Sequence, residues 1–393
     1  MRTERHGRRR TAQPSSLTPP FVVAPNAFKG SLTAEEAAGA IARGMRAALP
    51  TAHNTEIPLA DGGDGTAAVL LRALGGELVS VCAQDPLGRP IQARYALVEN
   101  GAAAVVEMAA ASGLVLLTHE ERNPLVTSTY GTGQLIADAI RRGVRKLIVG
   151  IGGSATNDGG AGALQALGAR FLDSDGSELG PGGAELARLA RIDTRGLVLH
   201  AGEAEIVVAC DVANPLTGSE GGSAVYGPQK GAALADVQIL DSALHNYAHV
   251  IREQLGLDVE HIPGTGAAGG LGAGLAALLG AEIRPGIEVV MKAVRFDEAL
   301  AYAHAVVTGE GKLDAQTGYG KVVSGVVRHA SERGIPVVAM VGRVDASPQQ
   351  VAAMGLAQAI PISPPDMPLE QAMSQAGELL EAAARRWAES LGR

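Results

Sequence analysis

Short apolar runs alternate with amphipathic segments along most of this chain, and the alternation predicts strands followed by helices. Residues 21–24, 206–210 and 305–307 are apolar runs of strand length that end in polar or glycine-rich turns. Residues 368–391 carry apolar side chains three or four positions apart, which is typical of a helix with one buried face. Strands that alternate with helices favour mainly parallel sheets, so the pattern predicts an α/β fold. Such sheets bind ligands at the carboxyl ends of their strands.

Local signals set the ends of several predicted elements. Thr33 and Glu36 have the spacing of a capping box, so a helix is expected to begin after Thr33. A second helix is expected to end at Leu74, and the pattern breaks at residues 84–90, where we expect the chain to cross between domains. Further strands are predicted at residues 93–98, 103–108, 146–151 and 336–341, and further helices at 132–142, 161–168, 236–255 and 318–333.

Length and composition narrow the class of protein. A chain of 393 residues is too long for one ordinary core, so two domains are expected. The net charge of −8 and the aromatic content of 3% argue against a nucleic-acid partner. Cys82 and Cys210 cannot form a disulfide framework, which indicates a reducing, cytoplasmic location. Residues 1–20 are rich in arginine, proline and serine and are expected to form a disordered tail. No membrane partner is expected, because no apolar segment approaches about 20 residues.

Three turns that follow apolar strands concentrate glycine, aspartate and lysine: residues 24–30, 150–160 and 308–314. Glycine lets backbone N–H groups close around an anion, and a helix that starts just afterwards adds its positive dipole end. Aspartate can hold Mg²⁺, and lysine can neutralise the charge of a phosphate. The pattern therefore predicts a phosphoryl-transfer enzyme, with an electropositive cradle inside an acidic protein.

The sequence evidence differs in strength between three candidates for the site: residues 152–160, residues 61–66 and Asp211. Residues 152–160 place hydroxyl, amide and carboxylate side chains directly after a buried strand, and we interpret this loop as functional. Residues 61–66, with two aspartates around a glycine pair, fit a Mg²⁺ or hydroxyl-binding loop and a plain turn equally well. Asp211 ends an apolar strand, so it is expected on the ligand side of its sheet.

Two well-known nucleotide motifs fit this chain poorly. Residues 309–313 lack the upstream glycine and the hydroxyl of a Walker A loop, which disfavours a P-loop NTPase. Residues 264–269 match Gly-x-Gly-x-x-Gly, but no convincing strand precedes them. Close packing of a small-residue helix is therefore favoured over an NAD site, and an NAD-dependent enzyme is the weaker alternative.

Several longer motifs, in fixed order over residues 21–390, resemble the bacterial glycerate kinase family, of the glycerate 2-kinase type that has no P-loop. The motifs lie at residues 24–32, 60–66, 107–114, 151–162, 209–216, 226–232 and 308–314. Long motifs in a fixed order are far more specific than any single glycine pattern.

The resemblance implies two unlike α/β domains, the second inserted into the first, with the active site in the cleft between them. The split domain would comprise residues 21–84 and 286–393, with a Rossmann- or flavodoxin-like sheet, and the insert would comprise residues 85–285. The implied reaction transfers the γ-phosphoryl group of ATP to a hydroxyl of D-glycerate with Mg²⁺. Its products would be ADP and phosphoglycerate, with 2-phosphoglycerate favoured. Nucleotide and D-glycerate are the expected partners, and a homodimer is left open.

Site residues are expected mainly within these motifs, with Lys321 added from the segment at residues 318–321, and their roles follow from the chemistry of phosphoryl transfer. Lys29, Asp64 and Asp211 are the expected catalytic residues, and Asp64, Asp158 and Asp211 are the expected metal ligands. The residues expected to bind substrate or phosphate are Asn26, Ser31, Asp61, Gly152, Gly153, Ser154, Asn157, Asp158, Lys230, Thr308, Gly309, Glu310, Asp314 and Lys321. Asn26 stands where many family members carry aspartate, and because an amide cannot act as a base, no general base is expected there.

Two other functions fit the same sequence. A kinase for another small hydroxy acid or polyol would share the scaffold, and a panel of substrates with ATP would separate it. A non-catalytic sensor of sugar acids or nucleotides would bind these ligands without releasing ADP.

Overall fold

A computed structural model describes residues 20–199, 202–313 and 321–391. The strands are β1 (Phe21–Val23), β2 (Asn54–Glu56), β3 (Gly76–Gln84), β4 (Pro90–Val98), β5 (Ala103–Glu107), β6 (Lys146–Gly150), β7 (Arg170–Leu172), β8 (Arg191–Asp193), β9 (Glu205–Ala209), β10 (Glu282–Arg284), β11 (Ala305–Leu313), β12 (Val337–Val344) and β13 (Gln358–Pro361). The α-helices are α1 (Ala34–Ala48), α2 (Thr66–Leu74), α3 (Ala109–Ser112), α4 (Tyr130–Arg141), α5 (Ala161–Ala166), α6 (Gly222–Tyr226), α7 (Leu234–Leu255), α8 (Leu271–Leu279), α9 (Gly286–Ala293), α10 (Phe296–Leu300), α11 (Val322–Ser331), α12 (Pro348–Ala353), α13 (Leu369–Ser374) and α14 (Ala376–Leu391). The predicted tail lies outside the described residues except for Pro20.

A parallel sheet is built from the two ends of the described chain. Its strands stand in the order β2–β1–β11–β12–β13. Numbered along the chain, this is the 2-1-3-4-5 order of flavodoxin-like sheets. The order reverses between β1 and β11, and ligands of such sheets bind beside that point, beyond the carboxyl ends of the strands.

A second sheet is built from the middle of the chain, in the order β10–β9–β6–β5–β4–β3. Strands β5, β6, β9 and β10 run parallel to one another, whereas β4 is antiparallel to both of its neighbours. A small antiparallel ribbon pairs β7 with β8. The mainly parallel α/β architecture expected from the sequence is confirmed. All strands of the second sheet lie between β2 and β11 in the chain, the order that an inserted domain requires.

The break in the sequence pattern at residues 84–90 corresponds to a hairpin turn between β3 and β4. The N–H of Asp85 donates to the carbonyl of Arg89 at 2.8 Å, and the N–H of Gly88 donates to that of Asp85 at 3.0 Å. Strand β3 pairs along its whole length with β4, which favours a crossing earlier in the chain than the expected one at residues 84–90. Exposed positions of β3 alternate with buried or half-buried ones over residues 78–83, as expected for a strand with one buried face. We propose that the crossing lies before Gly76.

Helices packed between the two sheets join them through one apolar core. The helices α2, α9 and α11 pack with Val22 and Val306 of the five-stranded sheet and with Val105 and Ile148 of the six-stranded sheet. Helices α1 and α14 cover the outer face of the first sheet, and α4, α5, α7 and α8 cover the outer face of the second. Close packing of this kind fixes the loops at the carboxyl ends of one sheet relative to those of the other.

The C-terminal segment differs from its prediction. The expected single helix at residues 368–391 is two helices, α13 and α14, because the backbone at Gln375 leaves helical geometry. Helix α14 packs on α1, where Gly44 allows the carbonyl of Glu381 to approach closely. Within residues 20–199, 202–313 and 321–391, no helix combines the length and the apolar content needed to cross a membrane.

Candidate active site

A cavity of about 650 Å³ opens beyond the carboxyl ends of β1, β2 and β6, where the two sheets come together. Pockets for small molecules typically measure about 300–1,000 Å³, so this one has a suitable size. The sequence-predicted site residues in its lining are Asn26, Lys29, Ser31, Asp61, Asp64, Gly152 and Gly153. Carboxyl ends of parallel strands are the expected place for a ligand.

The turn after β1 forms one wall of the cavity. The N–H of Asn26 donates to the carbonyl of Gly309 at 2.8 Å, and its side-chain oxygen accepts from the N–H of Ala27 at 2.8 Å. The Ser31 hydroxyl donates to the carbonyl of Phe28 at 3.0 Å. These bonds hold the turn in shape, and the Lys29 side chain is exposed on its cavity side.

Helix α1 begins at the same wall and is capped by its own residues. The Thr33 hydroxyl accepts from the N–H of Glu36 at 3.2 Å, and the Glu36 carboxylate accepts from the N–H of Thr33 at 2.8 Å. The capping box predicted from the sequence is confirmed. It occupies amides that would otherwise be available to an anion at this helix end.

The loop that carries Asp61 and Asp64 packs against the glycine-rich loop after β6. A Cβ atom at Gly152 would lie 2.7 Å from the Cα of Gly63, and one at Gly150 would lie 2.6 Å from the carbonyl oxygen of Gly62. Neither distance is compatible with a real Cβ contact. These two glycines are therefore needed for close backbone approach between the sheets, in addition to any contact with a ligand.

The first turn of α2 is capped by a side chain from the other sheet. The Glu107 carboxylate accepts from the N–H of Ala67 at 3.0 Å, and the backbone of Gly65 and Thr66 lies close to it. Burial raises the pKa of Glu107; the amides lower this pKa, and the neighbouring Asp64 carboxylate raises it. Glu107 was not expected as a site residue. The sequence could have identified it by the pattern that identified Asp211, namely a carboxylate at the end of an apolar run.

The cavity lining contains more negative than positive side chains. Its charged residues are Lys29, Arg72, Glu35, Glu36, Asp61 and Asp64. Arg72 forms an ion pair with Glu35, so part of the positive charge is already neutralised. The expected electropositive cradle is therefore wrong for this wall. An anionic ligand would need an additional cation to bind here.

The three expected metal ligands do not form one cluster. Among the described residues, no three aspartate, glutamate, histidine or cysteine side chains gather into a group that could hold a metal ion. Of Asp64, Asp158 and Asp211, only Asp64 lines the cavity. Mg²⁺ is, however, commonly held by one or two carboxylates together with substrate phosphates. Asp61 and Asp64 are oxygen donors of that kind, so the lining fits a Mg²⁺–nucleotide complex.

Asp158 lies inside the second sheet's helical layer, away from the cavity. It is 1% exposed, and its carboxylate accepts from the N–H and the hydroxyl of Thr129, both within 2.9 Å. It also accepts from the N–H of Gly160 at 3.1 Å and that of Gly162 at 3.3 Å. Burial raises the pKa of Asp158 against the lowering by these bonds. Its contacts fix the loop before α5, and we do not carry it forward as a metal ligand.

Other expected residues of this loop region also point into the protein. The Lys230 ammonium, 1% exposed, donates to the carbonyl of Thr156 at 2.7 Å, and burial lowers the pKa of Lys230 to about 7. The Asn157 amide donates to the Ser223 hydroxyl at 3.0 Å. Ser154 is buried and bridges to the backbone of Gly113. These contacts support the loop from behind, leaving Gly152 and Gly153 at the cavity.

Asp211 lies beside Asp61 and outside the cavity lining. One carboxylate oxygen accepts from the N–H of Gly286 at 2.7 Å and that of Ile287 at 3.4 Å, which caps α9. The other oxygen is buried and has no hydrogen-bond partner among the described residues. Burial, followed by the charge of Asp61, raises the pKa of Asp211 to about 8. Its place in the structure is that of a helix cap behind the cavity loop.

The expected residues of the third turn are mostly buried in β11. The Thr308 hydroxyl donates to the carbonyl of Ala24 at 2.8 Å, and Gly309 accepts from Asn26 through its carbonyl. Glu310 is buried in the same strand. Lys321 precedes α11, and Asp314 lies outside the described residues.

The Gly-x-Gly-x-x-Gly segment at residues 264–269 follows turns and no strand. A Cβ at Gly269 would lie 2.3 Å from the Cα of Asn157, so this glycine allows two backbones to touch. The close-packing interpretation of this segment fits the structure.

Comparison with known proteins adds to this geometry. The profile of the glycerate kinase family matches residues 21–392. The chain belongs to the glycerate kinase family. The match to the family shows that it is an enzyme of the kinase type, as the sequence motifs predict. Curated relatives include a glycerate kinase from Halalkalibacterium halodurans, 49% identical over 365 residues that cover 93% of this chain and 96% of that protein.

Two further relatives of this glycerate kinase family member extend the likeness. A glycerate 2-kinase from Escherichia coli K12 is 46% identical over 322 residues, 82% of this chain and 84% of that protein. A crystal structure from Salmonella typhimurium LT2, provisionally named glycerate kinase 2, is 45% identical with a TM-score of 0.85. The superposition covers 95% of this chain and 98% of that one, so the fold is shared over nearly its whole length.

Proposed function

We propose that this chain transfers the γ-phosphoryl group of ATP to the 2-hydroxyl of D-glycerate, giving ADP and 2-phosphoglycerate. One observation carries the proposal beyond family membership. The cavity between the carboxyl ends of the two sheets brings Lys29, Asp61 and Asp64 to one wall, and its size suits small molecules.

In the proposed step, the glycerate hydroxyl oxygen forms a bond to the γ-phosphorus while the bond to the β–γ bridging oxygen breaks. ADP leaves with the electrons of that bond, and the Asp64 carboxylate takes the hydroxyl proton. Lys29 neutralises negative charge on the substrate carboxylate or the transferring phosphoryl group. Phosphoryl transfer requires mainly positioning and charge neutralisation, which these side chains can supply.

The excess of carboxylates in the lining supports the use of Mg²⁺. ATP and glycerate both bring negative charge to a wall with four carboxylates and two basic side chains. Asp61 would hold Mg²⁺ together with oxygens of the nucleotide. When bound, Mg²⁺ would neutralise phosphate charge and orient the β- and γ-phosphates. We extend the proposal to a cytoplasmic location, supported by the free thiols of Cys82 and Cys210.

Phosphorus NMR of the products tests the proposal directly. The purified chain is incubated with ATP, Mg²⁺ and D-glycerate, and the ³¹P spectrum distinguishes 2-phosphoglycerate from 3-phosphoglycerate. A coupled ADP assay with other hydroxy acids and polyols should give the highest kcat/KM with D-glycerate. If the product is 3-phosphoglycerate, the proposed 2-position of transfer is wrong. If a polyol has a higher kcat/KM than D-glycerate, the proposed substrate is wrong. Binding of ATP or D-glycerate without release of ADP would indicate a sensor.

A further inference from the structure

We propose that Glu107 is a positioning residue, whose carboxylate fills the anion-binding end of α2 and thereby holds the loop that carries Asp61 and Asp64. This inference rests on the proposed function. It also states where phosphate does not bind, namely at the start of α2. No role in the reaction was expected for Glu107 from the sequence.

The start of α2 has the geometry of an anion-binding helix end. The residue before the helix, Gly65, is left-handed (φ 92°) and provides no side-chain cap. The exposed amides of a helix N-terminus attract anions, and at a glycine-rich loop they commonly bind phosphate. Here the Glu107 carboxylate, 40 residues further along the chain, accepts from the N–H of Ala67 at 3.0 Å. The position that phosphate would take is therefore filled.

The neighbouring helix α1 also has an internal carboxylate at its N-terminus. At the start of α1, the Glu36 carboxylate accepts from the N–H and the hydroxyl of Thr33, at 2.8 and 2.9 Å. Both helices that begin at the cavity thus have an internal carboxylate at their N-terminus. Phosphate charge is then expected to be met mainly by Lys29, by the Gly152–Gly153 backbone and by a metal ion.

Glu107 also links the two sheets at the cavity. It pairs in register with Gly150 of β6, and a Cβ at Gly150 would lie 3.8 Å from the Glu107 Cγ. The loop of Asp61 otherwise meets the second sheet through glycine backbone, as at Gly62 and Gly152. The Gly152 N–H donates to the Gly62 carbonyl at a long 3.5 Å, whereas the hydrogen bond from Ala67 to the Glu107 carboxylate is 3.0 Å and charge-assisted, so it restrains both distance and direction more strongly.

Steady-state kinetics of Glu107→Ala and Glu107→Gln test the proposal. Displacement of Asp64 should lower the kcat of E107A by about tenfold or more, since misplacement by about 1 Å can cost far more. The KM values for ATP and D-glycerate should change less, because Glu107 does not line the cavity. E107Q keeps an oxygen acceptor and should lie between E107A and the wild type. Glu205→Ala is the matched control, because Glu205 is a glutamate at the amino end of β9 in the same sheet, whereas Glu107 is at the carboxyl end of β5.

Chemical rescue separates positioning from a general loss of structure. Formate is small enough to enter the space that E107A leaves at the end of α2. It should restore part of the kcat of E107A and should leave the wild type and E205A unchanged. Hydrogen exchange of residues 65–74 should be faster in E107A and should slow again when formate is added.

An E107A enzyme with near-normal kcat, or a loss of kcat that formate does not restore, would overturn the positioning role. If E107A fails to fold, the kcat of E107Q and hydrogen exchange in its α2 segment decide in the same way. If the wild type releases no ADP with any substrate, the proposed function fails. The exchange experiment still shows, without substrates, whether Glu107 caps α2.

Discussion

Helices α1 and α2 both begin at the cavity, yet they take their N-terminal caps from different parts of the chain. Helix α1 is capped by Thr33 and Glu36, which belong to its own first turn. Helix α2 follows Gly65 and is capped by Glu107 of the six-stranded sheet. The end of α1 is therefore complete within one half of the molecule, whereas the end of α2 depends on the other half.

Helix α9, like α2, takes its N-terminal cap from a carboxylate beside the six-stranded sheet. Its first amides donate to Asp211, which lies two residues after the end of β9, whereas Glu107 is the last residue of β5. Both helices lie between the sheets and pack on both. The six-stranded sheet thus positions the intervening helices twice, through apolar contact and through carboxylates at its carboxyl edge. The geometry of the Asp61–Asp64 loop is consequently a property of both halves of the fold.

The largest expected effects come from the side chains that neither cap uses. Lys29→Ala and Asp64→Asn should each lower kcat/KM at least a hundredfold, about 2.7 kcal/mol of transition-state stabilisation. The reason is that Lys29 supplies positive charge to an acidic wall and Asp64 takes the proton. Steady-state kinetics on variants with unchanged circular dichroism measure this loss. Lys292→Ala, an exposed lysine at a different cavity, is the control and should stay near wild type. Near-normal turnover in both site variants would remove these roles.

The next effect tests the backbone contact between the two halves. Gly152→Ala should destabilise the protein by about 2 kcal/mol, because its Cβ would lie 2.7 Å from the Cα of Gly63 and one loop must move. Urea unfolding measures the change. In Gly39→Ala, within α1, the new Cβ meets only the mobile end of Arg43 at 3.3 Å, and helix propensity should add about 0.5–1 kcal/mol. Equal stability of the two variants would contradict the need for glycine at position 152.

A pH-dependent effect tests the cap of α9. Because burial raises the pKa of Asp211 from 3.8 to about 8, the folded protein binds more protons than the unfolded chain between these values. The contribution of Asp211 to stability therefore falls as the pH rises through that range. Asp211→Asn keeps the oxygen that accepts from Gly286 and removes the charge. The variant should be more stable than the wild type by roughly 2 kcal/mol near pH 9, with a smaller difference near pH 5.

Urea unfolding at the two pH values measures this difference. A wild type that is the more stable protein near pH 9 would contradict a buried, poorly solvated carboxylate. A difference that does not vary with pH would indicate that titration of Asp211 is not its cause.

The caps also show how far sequence reasoning reaches. Thr33 and Glu36 are three residues apart, so their cap is visible in the sequence and is confirmed. The partner of the α2 amides lies 40 residues away, and no local pattern connects Glu107 to Ala67. The same limit applies to Asp158 and Lys230. Their residue types fit ligand binding, but their partners are internal and come from distant turns.

Strands and their edges show a related limit. The parallel strands β6 and β9 are buried, and their apolar runs predict them well, whereas β11 continues to Leu313 through residues that were expected to form a turn. Strand β3 forms an edge of the six-stranded sheet, and its exposed and buried positions alternate over residues 78–83; no strand was predicted there, although residues 78–83 are mainly apolar. The site itself was partly predictable, since the loops after β1, β2 and β6 carry both glycine and charged residues. The excess of carboxylates over basic side chains in the cavity lining was not predictable, because Glu35 and Arg72 reach the cavity from helices whose packing only the fold reveals.

The smallest effect compares the two caps themselves. Thr33→Ala should cost about 1 kcal/mol of stability through loss of the side-chain acceptor, and Thr33→Ser should restore most of it. If the caps belong to different parts of the structure, as their partners indicate, the cost in the double variant T33A/E107A should equal the sum within about 0.5 kcal/mol. A larger coupling energy, measured by urea unfolding of the four proteins, would show that α1 and α2 respond as one unit. The Arg72–Glu35 ion pair is the contact that would carry that coupling, and E35Q in the same cycle would remove it.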